Sequence, residues 1–323
     1  MKFPRRVRIV EVAPRDGLQS LSRTLPTAEK IWLVDTLSAL GFGTIEVTGF
    51  VSPRAIPNLA DADAVMAGIM RRSGTLYRGL APNRRGAERA VAAGCDEIVG
   101  LVTASEGYTA RNQNMTLTDA LTQALASHDV ARGAGCRFVL AIGMAFFCPY
   151  DGAIDESRVL GLIDAAWEAG VRSVYLAGSL GLEHPREVQD RFGRIRARWP
   201  GVELGYHVHD MGGMAAANTL CALEAGIDWL ETAICGIGGG VATPTATGNY
   251  PTEDMVRMLS DCGVETGLDA RAVMLAAREI SLRLGLPLTS AAGRCGDRSE
   301  NLRAPTTPQP RQGLTSAPVI SHP

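Results

Sequence analysis

The 323-residue chain lacks an excess of charge of either sign: 32 Lys and Arg against 34 Asp and Glu leave a net charge of −2. That balance offers no basic footprint for nucleic acid and no polybasic anchor for a membrane surface. No apolar run approaches the roughly 18 residues that a membrane-spanning helix needs. The seven cysteines, Cys95, Cys136, Cys148, Cys221, Cys235, Cys262 and Cys295, contain no Cys-x-x-Cys pair. An odd, scattered set argues against a disulfide framework and fits free thiols in a reducing cytosol. The N-terminal stretch Met1-Lys2-Phe3-Pro4-Arg5-Arg6 is basic, yet it leads straight into a short strand without the apolar region and cleavage site of a secretory leader. With 46% hydrophobic and 20% charged residues, the composition is that of a soluble globular protein with an ample core. We therefore expect a cytoplasmic protein acting on a small molecule, with no nucleic acid and no membrane partner.

Histidine is scarce as well, and its placement is informative. Two of the five stand as His207-Val208-His209, after Val202-Glu203-Leu204-Gly205-Tyr206 and before Asp210-Met211-Gly212-Gly213. In an extended strand, residues i and i+2 point to the same face. Two imidazoles side by side at a strand end make half of a divalent-metal site. The plainer alternative is a polar pair that closes a strand, each ring bonded to a neighbouring backbone group.

Short β-branched or apolar runs recur at 7–12, 44–48, 76–80, 97–102, 138–143, 173–177, 203–208 and 229–234. Between them lie segments of helical periodicity at 27–40, 60–71, 85–93, 118–132, 156–169, 185–198 and 215–225. In the first, Ile31, Val34, Leu37 and Leu40 recur at three- or four-residue steps and Gly41 follows as a C-cap. Eight strand runs with helical segments between them predict an α/β fold, a (β/α)8 TIM barrel, with a C-terminal helical extension and a disordered tail. A doubly wound open sheet is the rival, but no Gly-x-Gly-x-x-Gly follows the first strand. We expect the barrel domain over residues 1–285 and a flexible, Pro-rich tail over 286–323, where Pro305, Pro308, Pro310, Pro318 and Pro323 leave little to bury.

A barrel gathers the residues that follow its strands at one face, where active sites form. By that rule Arg15 and Asp16 after the first strand, Glu46 and Thr48 on the second, His207 and His209 on the seventh, and the glycine run 236–240 with Gly248-Asn249 after the eighth converge. Asp16, two imidazoles and a further oxygen donor suit Mg²⁺ or Mn²⁺, with Zn²⁺ or Co²⁺ as alternatives. Arg15 would place a permanent positive charge where an enolate or oxyanion forms. A simple turn salt bridge between Arg15 and Asp16 is the competing reading.

These residues resemble the 3-hydroxy-3-methylglutaryl-coenzyme A lyase family of metal-dependent TIM-barrel lyases. The resemblance spans roughly residues 7 to 285. It rests on Val10-Glu11-Val12-Ala13-Pro14-Arg15-Asp16-Gly17-Leu18-Gln19, Ile45-Glu46-Val47-Thr48-Gly49-Phe50-Val51-Ser52-Pro53, Cys148-Pro149-Tyr150-Asp151-Gly152, His207-Val208-His209-Asp210 and Gly248-Asn249-Tyr250-Pro251-Thr252-Glu253-Asp254. It implies metal ligands at Asp16, His207, His209 and Asn249, catalytic roles for Arg15, Glu46 and Asp16, and substrate contacts from Gln19, Thr48 and Gly240. Arg15 would steady the thioester oxygen as it becomes an enolate; Glu46 would move a proton or orient the substrate hydroxyl. The implied reaction is retro-Claisen cleavage of a 3-hydroxyacyl-CoA, such as HMG-CoA to acetyl-CoA and acetoacetate in leucine breakdown, by a homodimer. An aldolase acting on a 4-hydroxy-2-oxo acid, and a metal-binding protein without activity, are the alternatives.

The chain departs from the family pattern at three glycines. Gly240 stands where the family has a proton-donating cysteine, Gly178-Ser179 where it has Asp-Thr, and Gly49 where a serine is usual. Side chains lost at three places predict a roomier, less polar pocket. Water, another side chain or Cys235, five residues earlier, would take the place of the missing thiol, or the chemistry has shifted.

Overall fold

The structure is a computed structural model that describes residues 2–239 and 248–302. Eight strands form it: β1 (Arg8–Glu11), β2 (Thr44–Gly49), β3 (Leu76–Leu80), β4 (Glu97–Thr103), β5 (Arg137–Gly143), β6 (Ser173–Ala177), β7 (Glu203–His207) and β8 (Trp229–Thr232). They pair in parallel and in chain order, and β8 closes on β1 with Arg8 opposite Trp229 and Glu11 opposite Thr232. The predicted TIM barrel is the observed fold, and its strand boundaries fall close to those read from the sequence. Closure leaves no open sheet edge. Strands buried on both faces read as continuous runs, and β2, TIEVTG, is buried at every position.

Helices α1 (Thr27–Ala39), α2 (Ala62–Gly68), α3 (Arg84–Ala92), α4 (Glu106–Gln113), α5 (Leu117–Gly133), α6 (Glu156–Glu168), α7 (Pro185–Arg198) and α8 (Ala215–Glu224) wrap the outside. Helix α4 was not expected: its sequence EGYTARNQ buries Thr109 alone, and Ser105 starts it by accepting the Tyr108 N–H. A short antiparallel ribbon, Phe147–Cys148 against Gly152–Ala153, follows β5.

After β8 come α9 (Thr252–Asp261), α10 (Ala270–Leu284), α11 (Ala291–Cys295) and α12 (Arg298–Asn301). The sequence assigns 286–302 to the tail, yet the first part of that segment is packed: Leu286, Ser290 and Ala292 are buried, whereas α12 buries no residue. The Asp254 carboxylate on α9 accepts the N–H groups of Ala291 and Ala292 at 2.8 and 2.7 Å, satisfying the free start of α11. Residues 303–323 of the predicted tail lie outside the described residues.

Candidate active site

Two local devices deliver the acidic side of the site. The chain leaves β1 in a π-helical turn, Ala13–Gly17, in which the N–H groups of Arg15, Asp16 and Gly17 all approach the Val12 carbonyl at 2.8–3.3 Å. Such turns recur at functional sites because they re-aim side chains. Glu11 fastens this one: its carboxylate accepts the N–H of Ala13 (2.9 Å), the N–H of Ile234 beyond β8 (3.0 Å) and the hydroxyl of Thr252 on α9 (2.7 Å). Burial pushes the Glu11 carboxyl up to about 8, against those hydrogen bonds.

The basic side comes from the end of β7. His207 is its last residue, and His209 pairs in an antiparallel bridge with Asn249 on the returning chain. The Tyr250 N–H donates to the Val208 carbonyl at 2.8 Å, fixing that return. Asp16, His207 and His209 then present ligand atoms that all lie within 4.8 Å of one another, and all three residues are buried.

The imidazole tautomers follow from their partners. His207 Nδ1 faces the Glu231 carboxylate at 3.0 Å and His209 Nδ1 faces the Gly248 carbonyl at 3.2 Å, so each Nδ1 carries the proton. The two Nε2 atoms are thereby acceptors, and they face each other at 3.0 Å. Asn249 donates from Nδ2 to Asp16 Oδ2 (2.7 Å) and to the Ile237 carbonyl (3.0 Å). Its buried Oδ1 has no hydrogen-bond partner among the described residues. Two imidazole nitrogens, a carboxylate and an orphaned amide oxygen are the donor set of a hard or borderline divalent cation. Burial would raise the Asp16 carboxyl, but Arg15 and the two imidazoles outweigh it and hold it low. Burial likewise opposes charging of His207, but Glu231 and Asp16 lift it above the ordinary imidazole range.

Arg15 stands beside this cluster. Its Nη1 donates to Asp16 Oδ1 at 2.6 Å and its Nε donates to Glu46 Oε1. Gln19 donates to the same Asp16 oxygen at 2.6 Å. The second Glu46 oxygen accepts from Arg78 Nε at 3.1 Å, so both oxygens of this fully buried carboxylate are held by arginines. Arg15, Asp16, Gln19, His207 and His209 line a cavity of about 440 Å³ at the mouth of the barrel. Thr48 is buried on β2 outside that lining, and Gly240 lies outside the described residues.

The pocket is not widened at the two described glycines. A Cβ on Gly178 would land on the carboxylate of Glu183, a residue 1% exposed whose oxygen accepts the Tyr206 hydroxyl. A Cβ on Gly49 would sit 3.1 Å from Leu59 Cδ1. Neighbours fill both spaces, which sequence alone had left empty. Cys235 is no substitute thiol either: its Sγ donates to the Ala277 carbonyl on α10 at 3.3 Å, and the residue is fully buried.

Sequence reasoning passed over Glu11, Arg78, Glu183 and Glu231. Three of the four signal themselves in retrospect: Glu11, Arg78 and Glu231 are charged residues inside strands otherwise made to be buried.

Residues 6–280 match the HMGL-like family model. The mitochondrial hydroxymethylglutaryl-CoA lyase of Bos taurus is 36% identical over 272 residues, 84% of each chain. The 3-hydroxy-3-isohexenylglutaryl-CoA/hydroxymethylglutaryl-CoA lyase of Pseudomonas aeruginosa is 35% identical over 294 residues, covering 91% of this chain and 98% of its own. The solved HMG-CoA lyase of Acinetobacter baumannii, in complex with coenzyme A and 3-methylmalate, superposes with a TM-score of 0.89 at 32% identity, covering 96% of this chain and all of that one.

Proposed function

The chain belongs to the HMGL-like family, and from that premise we propose that it is a divalent-metal-dependent carbon–carbon lyase cleaving a 3-hydroxyacyl-CoA, HMG-CoA first among candidates, to acetyl-CoA and acetoacetate. The observation that carries the reading is the orphaned Asn249 Oδ1 beside two imidazole Nε2 acceptors and Asp16: four acceptors gathered in a buried site call for a cation. The coenzyme A bound by the Acinetobacter lyase supports a thioester substrate.

We assign Asp16, His207, His209 and Asn249 as the ligands, with Mg²⁺ or Mn²⁺ as the ion. Held by these four residues, the cation would supply Lewis acidity that makes a substrate hydroxyl more acidic toward a base such as water. Arg15 holds the thioester oxygen as the carbon–carbon bond breaks and that oxygen gains charge. Because Glu46 and Asp16 fix the guanidinium beforehand, its orientation costs little at the moment of reaction. Glu46, with both oxygens engaged, serves to orient Arg15, and the Gln19 amide beside Asp16 faces the substrate. Gly240 stands where the resemblance puts a thiol, so protonation of the departing enolate falls to water or another group and limits the rate. Seven free cysteines fit a cytoplasmic setting, and among the described residues no helix is long and apolar enough to cross a membrane. A homodimer is the assembly we expect.

The test is an assay of Mn²⁺- or Mg²⁺-loaded protein with HMG-CoA, following acetoacetate release. Slow cleavage is expected, and Gly240→Cys should raise it about 10²-fold, the scale of general acid catalysis. Cleavage of a 4-hydroxy-2-oxo acid with none of HMG-CoA in either form would replace the lyase reading by an aldolase.

A further inference from the structure

Inside the barrel, below the site, lies a side chain that the reaction does not obviously require. Arg78 sits in the middle of β3, is 1% exposed, and is the largest of the fully buried side chains. Its guanidinium is bound on three sides by carboxylates: Nε to Glu46 Oε2 (3.1 Å), Nη1 to Glu97 Oε1 (3.3 Å) and Nη2 to Glu231 Oε1. Glu46 and Glu97 are its lateral neighbours in register on β2 and β4. Glu231 comes from β8, three strands away around the barrel, so that bond crosses the lumen.

Each of two carboxylates has its other oxygen on a functional group. Glu46 Oε1 takes the Nε of Arg15, and Glu231 Oε2 takes the Nδ1 of His207 at 3.0 Å. Tyr175 adds a parallel contact: its ring lies 5.8 Å from the Arg78 guanidinium and stacks on His207 at 6.0 Å. Arg78 therefore touches both halves of the site at one remove, the cation ligand through Glu231 and the oxyanion-binding arginine through Glu46.

Stability does not account for this arrangement. Burying one arginine among three carboxylates incurs desolvation that an apolar side chain of similar volume avoids, and such replacements are often neutral or stabilising. What the planar guanidinium offers instead is a fixed angle between its donors. It holds two carboxylates at once, and each of these bonds one functional side chain. Partners of a metal-bound imidazole commonly tune metal affinity 10–100-fold.

We propose that Arg78 is a positioning residue that sets His207 and Arg15 together, through Glu231 and Glu46, from the centre of the barrel. The proposal rests on the functional reading given above. Its test measures Mn²⁺ affinity of the full chain by the electron-paramagnetic-resonance signal of free Mn²⁺, beside kcat and KM for HMG-CoA. Arg78→Met should weaken Mn²⁺ at least about 10-fold and lower kcat while KM changes less than about threefold. Glu97→Gln, which removes the carboxylate that leads to neither functional group, should leave Mn²⁺ affinity within twofold. Arg78→Lys keeps the charge without the fork, and so should weaken Mn²⁺ about fivefold; it decides the matter if the methionine variant does not fold. Wild-type affinity in a folded Arg78 variant, or an equal loss in Glu97→Gln, overturns the proposal and leaves the lyase reading intact. A wild-type protein that binds no Mn²⁺ overturns both.

Discussion

The space beside Gly178 allows a sharp prediction. Glu183, five residues later, folds its carboxylate back into the place a side chain at 178 would take, and Tyr206 donates its hydroxyl to it. Gly178→Asp restores the family residue but finds its site filled. Overpacking of this kind costs about 1–3 kcal/mol. A second carboxylate about 4 Å from the first adds up to about 4 kcal/mol at an effective dielectric constant of 20 if both ionise. Sharing a proton relieves part of that, so we expect a loss of about 3–5 kcal/mol at pH 8. Glu183→Ala alone leaves the Tyr206 hydroxyl unpaired in a buried site, at about 1–3 kcal/mol. The double variant returns one carboxylate to the same space, and should recover most of both losses, a coupling of about 3 kcal/mol. Burial already raises the Glu183 carboxyl, so the crowded pair holds a proton more easily at pH 5, and the Gly178→Asp penalty should shrink there. Urea unfolding at both pH values measures all four proteins. If Gly178→Asp lies within about 0.5 kcal/mol of wild type, or the two losses simply add, the exchange of positions is refuted.

Arg15→Gln should lower kcat about 10²–10³-fold, or about 3–4 kcal/mol, with little change in KM, as expected of a donor needed in the transition state; steady-state kinetics with near-normal kcat would remove it from the mechanism. His207→Ala should abolish Mn²⁺ binding and Asn249→Ala should weaken it, measured by isothermal titration, whereas unchanged affinity in both would exclude the assigned ligand set. For Glu11, the carboxyl moves from 4.5 to about 8 on folding. The native state thus holds a proton that the unfolded chain has lost, and stability present below about pH 4.5 declines as pH rises through about 8. At about 1.36 kcal/mol per pH unit this sets a ceiling of about 5 kcal/mol. Glu11→Gln should remove that decline between pH 5 and 9, and an unaltered slope of urea stability against pH would refute it.

The barrel is legible in the sequence because its signal is repeated eight times, with strand runs and helical periodicity alternating at a regular interval. His207 and His209 are legible because strand geometry alone puts them on one face. Asn249 is less so: the barrel rule brings the chain after the eighth strand to the right face, but a bridge to His209 carries this residue in, and family resemblance alone marks it beforehand as a ligand. Glu46 is marked by its strand and by a motif, whereas Arg78 and Glu231, equally charged and equally buried, belong to no motif and are joined only across the lumen. The inference of a roomier pocket failed for a related reason. A glycine reports a missing side chain but not whether Glu183 or Leu59 has moved into its place. The segment 286–302 hides its order because a carboxylate and helix caps hold it, rather than an apolar stripe.

The four acceptors span the whole barrel in sequence, with Asp16 just past the first strand and Asn249 beyond the last. They meet at the seam where β8 closes on β1, and Glu11 stitches the same seam to Ile234 and Thr252. A growing chain on the ribosome therefore carries one of the four acceptors, Asp16, until residue 207 is made, and cannot bring the set together until the ring shuts. On the proposed reading, an ion captured there would act as a clasp on the finished circle, contributing about 2.7 kcal/mol when present at a hundred times its dissociation constant. Closure of the barrel would then be the step at which the molecule first becomes able to hold an ion, and an unclosed chain would be silent toward it.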